Sequence, residues 1–383
     1  MEYDFLHPLN NEIIQYVQSL TPQHLGSKLV LHSQTEFPNL DTIQLAIIGV
    51  LENRGDANQT EEVDLNAIRK EFYSLYPGNW HNSIADLGDI RAGAELSDTY
   101  FALKSVVASL IKKKIIPIII GGSQDLTYAM YRAYDLLEQM VNLVSIDSKF
   151  DLGKENSNDM VSSYLTRIII EEPNNLFNYS VIGYQTYYNP QEEIDLMEKL
   201  YFDAYRLGEI TNDIKVSEPI FRDADIVSLD LTSIHSSNSG NFSTFTPNGF
   251  NGKEICALSR YAGLSDKVSL FGIFNHNFTK QESVLISQII WYFIEGYEYR
   301  SNEYPYTSKN NYFKYIVPMD QEELVFYKSD KTERWWIEVP QIRHFNTKTQ
   351  LNTLLPCSYD DYLGAINQEI PERWWKTQRK SII

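Results

Sequence analysis

Histidine is missing from the whole middle of this 383-residue chain: none of its seven occurs between His81 and His235. An imidazole is the usual neutral ligand of a transition metal and the usual base beside a serine nucleophile, so neither device can be built from that stretch alone. Cysteine is nearly absent too, with only Cys256 and Cys357 and no paired spacing. That excludes a disulfide framework and points to a reducing compartment. Positive charge is scarce: 33 Lys and Arg stand against 51 Asp and Glu, a net charge of −18. Nonspecific binding to nucleic acid or to anionic lipid needs basic surface and is excluded on that ground. No apolar run approaches the roughly 18 residues that span a bilayer, and the acidic start MEYDFLHPLNNE does not read as a signal peptide. The expectation is a soluble, cytoplasmic protein with no nucleic-acid partner and no membrane insertion.

What is present is alternation. Runs rich in β-branched residues recur at 43–50, 83–89, 115–120, 141–147, 179–185, 224–231 and 267–274. Several are apolar nearly throughout, which suits strands covered on both faces in a parallel sheet. Stretches with helical spacing lie between them at 64–75, 125–140, 191–206, 251–263 and 280–297. Another helix is expected from Ser97 as N-cap through Leu103, Val106, Val107, Leu110 and Ile111 to the closing lysines 112–114;. Strand and helix in repetition predict a three-layer, doubly wound α/β domain over 35–300, preceded by a segment 1–34 and followed by an extension 301–383. Ligands of such sheets bind beyond the carboxyl ends of the strands. Three polar loops stand there, Gly121–Asp125, Asp147–Asp151 and Asp230–His235, and Gly121 and Gly122 are expected to permit a tight turn.

The ordered series IIGV, AIRKEFYSL with Arg69, DLGDI, PIIIGGSQDLT, SIDSKFD and SLDLTSI resembles the ureohydrolase family of arginases, agmatinases and formimidoylglutamases over most of 43–297. The resemblance implies an arginase-like fold and a binuclear manganese site, and the ligand positions depart from it. Where the family carries Asp-His after the glycine pair, this chain has Ser123 and Gln124. Its Asp-x-His-x-Asp appears as Asp147, Lys149 and Asp151, and its later Asp-x-Asp as Asp230 and Thr232. The family's glutamate near the guanidino or formimino group has no match in GIFNHN, 272–277.

Two dications need carboxylates for charge and neutral imidazoles for the softer contacts, so these replacements lower metal affinity together. Three carboxylates gathered in a dry cleft repel one another, and an ammonium among them offsets that. Lys149 is therefore expected to stand in for the metals, paired with Asp147, Asp151 or Asp230. His235 and His276, on loops at the same side of the sheet, are candidate replacement ligands. For Asp147 and Asp230 the plainer reading, carboxylates bonded to local loop amides, is preferred.

The extension carries ERWW twice, at 333–336 and 372–375, and holds four of the six tryptophans. Trp335, Trp336, Trp374 and Trp375 are either anchors for a protein partner or rings packed back on the parent domain. Two function classes follow. One is a ureohydrolase-fold pseudoenzyme with no metal or other cofactor, acting as an assembly or interaction component and forming a homo-oligomer. The other is a manganese-dependent C–N hydrolase of a guanidino or formimino compound, with Asp147, Asp151 and Asp230 holding the ion. A ligand sensor using Lys149 to meet an anion is a third. For degenerate, tailed members the resemblance also implies a partner in a bacterial secretion or gliding apparatus.

Overall fold

The computed structural model describes residues 3–57, 63–154, 159–242, 245–277, 279–303, 305, 308–320, 322–340 and 353–380. Ten strands form the main sheet: β1 (Leu6–His7), β2 (Val30–Leu31), β3 (Leu45–Leu51), β4 (Ile84–Arg91), β5 (Ile116–Ile120), β6 (Val141–Ile146), β7 (Leu176–Tyr184), β8 (Asp203–Arg206), β9 (Ile226–Asp230) and β10 (Leu270–Phe274). Their order is β1-β4-β3-β5-β10-β9-β6-β7-β8, with β2 beside β4. Every pairing is parallel except β1 with β4.

Helices cover both faces, and the strands divide their side chains between two cores. Ala46, Ile48 and Val50 join Leu103, Val106 and Leu110 of the helix Leu96–Lys112. Leu45 and Ile47 belong with Ile286, Ile289 and Phe293 of the helix Lys280–Glu298. Alternate residues of a strand point to opposite faces, so a strand buried on both reads as a continuous apolar run. The expected strands and helices appear close to where periodicity puts them, except that the stretch 191–206 is helical only over Gln191–Lys199 and ends in the strand β8. The cap of Leu96–Lys112 differs: Glu95 is the N-cap and Asp98 bonds back to its backbone, so Ser97 lies inside the first turn. Two acids in that reciprocal arrangement satisfy more amide donors than one serine.

Beyond residue 300 a second, antiparallel sheet runs in the order β11 (Tyr312–Pro318), β12 (Glu323–Ser329), β13 (Trp335–Val339), β14 (Thr353–Cys357). The helices Tyr359–Ile366 and Glu372–Lys380 follow it. Trp374 is 1% exposed and its indole Nε1 donates to the Glu338 carbonyl at 2.8 Å. Trp335 stacks on Tyr362, 4.7 Å between centroids, and Trp336 lies 4.8 Å from the Arg222 guanidinium. Three of the four tail tryptophans, read as either partner anchors or packed rings, are thus buried within the chain, Trp335 and Trp374 in one core with Val317, Leu324, Ile337 and Leu355. Trp375 alone keeps substantial exposure, 38%.

Candidate functional site

The centre of the main sheet places the predicted loops side by side. β5, β10, β9 and β6 are consecutive neighbours, so residues following Ile120, Phe274, Asp230 and Ile146 emerge together at their carboxyl ends. Gly121 and Gly122 have no left-handed backbone, so turn geometry does not require them. Close approach does: a Cβ on Gly122 would lie 2.0 Å from the Glu52 carbonyl oxygen, and one on Gly121 2.7 Å from the Phe274 ring.

Gln124 is fully buried and its Nε2 donates to Asp147 Oδ2 at 2.7 Å. The other Asp147 oxygen accepts the Lys149 amide at 2.9 Å. Asp230 receives both the amide and the hydroxyl of Thr232, at 2.7 and 2.6 Å. Asn275, in a left-handed conformation with φ of 59°, ties the loops together: its Oδ1 accepts the Gln124 amide at 3.0 Å and its own amide donates to the Gly122 carbonyl at 2.7 Å.

The expected ion pair of Lys149 is not formed. Lys149 is exposed, and among the described residues it pairs with none of Asp147, Asp151 and Asp230. Its backbone amide is held by Asp147, its side chain is exposed, and its charge draws Asp151 and Asp230 down without an ion pair. Burial and mutual repulsion favour a retained proton among the three acids instead;. Burial, and then the Asp230 charge, push Asp147 up to about 7. Burial and the neighbouring carboxylates hold Asp151 well above the ordinary range, and its interaction with Asp147 adds to the rise. Asp230 is raised by burial and pulled back by Thr232.

The two histidines go to other work. His235 caps the turn Ser236–Ser239, its Nδ1 accepting the Ser237 amide at 3.1 Å. His276 is buried and neutral at physiological pH, its pKa lowered to about 4 by desolvation. Sequence reasoning missed Glu282, 1% exposed, whose carboxyl accepts the Asn277 amide and is raised to about 7 by burial, with Asp230 adding to the rise. Its signal was present: Glu282 shares the apolar stripe of Leu285, Ile286 and Ile289, a position where an acid is out of place;. Asp125 was passed over as well. It is buried, bonded by the Tyr100 hydroxyl, and raised to about 6 by burial.

Residues 44–274 match the model of the arginase family. The chain belongs to that family. This arginase-family chain is 29% identical over 175 residues to the formimidoylglutamase of Staphylococcus aureus, covering 45% of itself and 54% of that protein. It therefore spans about half the length of the curated relative. Among solved structures it resembles formiminoglutamase of Trypanosoma cruzi with manganese, at TM-score 0.60 and 18% identity over 69% of this chain and 100% of the other. It also resembles formimidoylglutamase of Bacillus subtilis, at TM-score 0.62 and 16% identity over 70% and 91%. Those likenesses carry the fold.

Manganese, present in the Trypanosoma cruzi structure, can be tested against the donors here. Gln124 turns an amide N–H toward Asp147, Thr232 occupies both oxygens of Asp230, and the position matching the family's middle imidazole is an exposed lysine, Lys149. Metal ligation needs lone pairs aimed at one point, and at Asp147 and Asp230 this arrangement spends them on hydrogen bonds, which leaves Asp151 Oδ2 as the cleft carboxylate oxygen without a partner among the described residues;. The donor set does not fit a two-ion manganese centre.

Proposed function

We propose that this protein is a non-catalytic member of the arginase family, a pseudoenzyme whose former metal cleft is closed on itself and whose role is that of an assembly or interaction component for a protein partner. The observation that carries this is the Gln124 to Asp147 hydrogen bond of 2.7 Å, a donor where metal binding requires an acceptor. The raised Asp151 and Asp147 and the Thr232 clasp on Asp230 support it, because retained protons lower the charge of the cleft without any dication. Of the four tail tryptophans, exposed Trp375 is the one left to meet a partner directly.

A second function has a specific observation in its favour. The matched relatives are formimidoylglutamases, which supports a C–N hydrolase acting on a formimino or guanidino compound. Incubation with formimidoylglutamate, agmatine and arginine, with and without added manganese, separates the two. Release of formamide or urea above the protein-free rate defeats the pseudoenzyme proposal; no release under any condition supports it.

A further inference from the structure

Between the core and the antiparallel sheet lies a pocket of about 690 Å³, apart from the carboxylate cleft. That is within the roughly 300–1,000 Å³ of small-molecule sites. Trp335 and Lys328, opposite one another on β13 and β12, line it. Tyr315, Tyr359 and Tyr362 surround the Trp335 ring with centroids 5.1, 5.5 and 4.7 Å away. The core supplies the facing side through Glu218 and Arg222 of the helix Ser217–Asp223, and Arg334 joins them from the turn before β13.

Charge within this pocket runs against the −18 of the chain. Its lining holds three cations, Arg222, Lys328 and Arg334, and two carboxylates, Glu218 and Glu333. One oxygen of Glu218 serves both guanidiniums, 2.9 Å from Arg222 Nε and 3.3 Å from Arg334 Nε. Arg334 has a further, longer contact to Asp266 at 3.9 Å. Among the described residues Lys328 is paired only to Glu333, 3.4 Å away with a side chain 80% exposed, a pairing that water screens;. A cationic ligand is disfavoured, since Lys328 Nζ already sits 5.9 Å from the Trp335 centroid and takes the cation's place over that ring;.

We infer that this junction pocket binds a small aromatic carboxylate, its ring against the Tyr and Trp wall and its carboxylate on Lys328 and Arg334. The inference holds whether or not the carboxylate cleft is catalytic. The test uses the full chain with 3-phenylpropionate and its uncharged amide, each titrated by calorimetry and by saturation-transfer NMR. The acid binds about tenfold more tightly than the amide. Lys328→Met keeps the apolar stem, weakens the acid about tenfold and leaves the amide unchanged. Tyr359→Ala, at a side chain 52% exposed and so tolerated by the fold, weakens both. Equal affinity for acid and amide, an unaffected acid in Lys328→Met, or no saturation transfer at about 10 mM acid overturns the proposal.

Discussion

By its resemblance to the ureohydrolases, Gln124 falls at the position of a metal-binding histidine, and here its Nε2 donates to Asp147. Reversing that polarity takes more than one exchange, because Asp230 is clasped by Thr232 and Lys149 brings a positive charge near the site. The triple variant Gln124→His, Lys149→His, Thr232→Asp is expected to raise manganese affinity before it restores any turnover; calorimetric titration that finds no gain would mean the loops themselves have moved. Asp147 also gives the fold a pH signature. Its pKa rises from 3.8 to about 7 on folding, so the native state binds the proton more tightly than the unfolded chain. The stability this contributes is complete below about pH 4 and is lost as pH rises through about 7. Asp147→Asn, which cannot ionise, should flatten the fall in melting temperature between about pH 5.5 and 7.5. A slope equal to that of the parent would assign the titration elsewhere, to Glu282 or Asp125.

At the scale of elements, the strands were legible because double burial writes itself as unbroken apolar runs such as Ile116–Ile120, and the long helices because their apolar stripe recurs at three and four residues. The short strands Leu6–His7, Val30–Leu31 and Asp203–Arg206 carry too few residues for any period to show, and only tertiary pairing makes them strands. The cleft loops were legible as positions and illegible as contacts. Spacing names Asp147, Lys149 and Asp151 together, but whether an ammonium points in or out depends on a rotamer that packing decides, and Lys149 points out. Glu282 arrives from a helix more than fifty residues after Asp230, a proximity that only the sheet order creates. In the tail, the two ERWW repeats look alike and differ in burial. Trp374→Ala should cost about 3–5 kcal/mol of unfolding free energy, against about 0.5 kcal/mol for Trp375→Ala, measured by chemical denaturation. Similar losses at both would contradict the observed packing.

For the molecule as a whole, the tail is fastened to the core by charge. Arg222 donates to the Trp335 and Cys357 carbonyls at 3.1 and 2.9 Å, Arg373 reaches Asp223 at 3.3 Å, and Lys376 reaches Asp203 at 3.5 Å. Ending the chain after residue 300 strips the buried Arg222 of those acceptors and leaves Asp203 and Asp223 without their tail partners, so the truncated core should melt lower and scatter light. A monodisperse core with an unchanged melting temperature would show that the tail is a free arm. The most direct measurement concerns the cleft. After incubation of the purified full chain with excess manganese and removal of the unbound ion, elemental mass spectrometry gives moles of metal per chain. A cleft closed by Gln124, Thr232 and a retained proton predicts a ratio near zero; a ratio near one or two would contradict it and return the chain to the hydrolases.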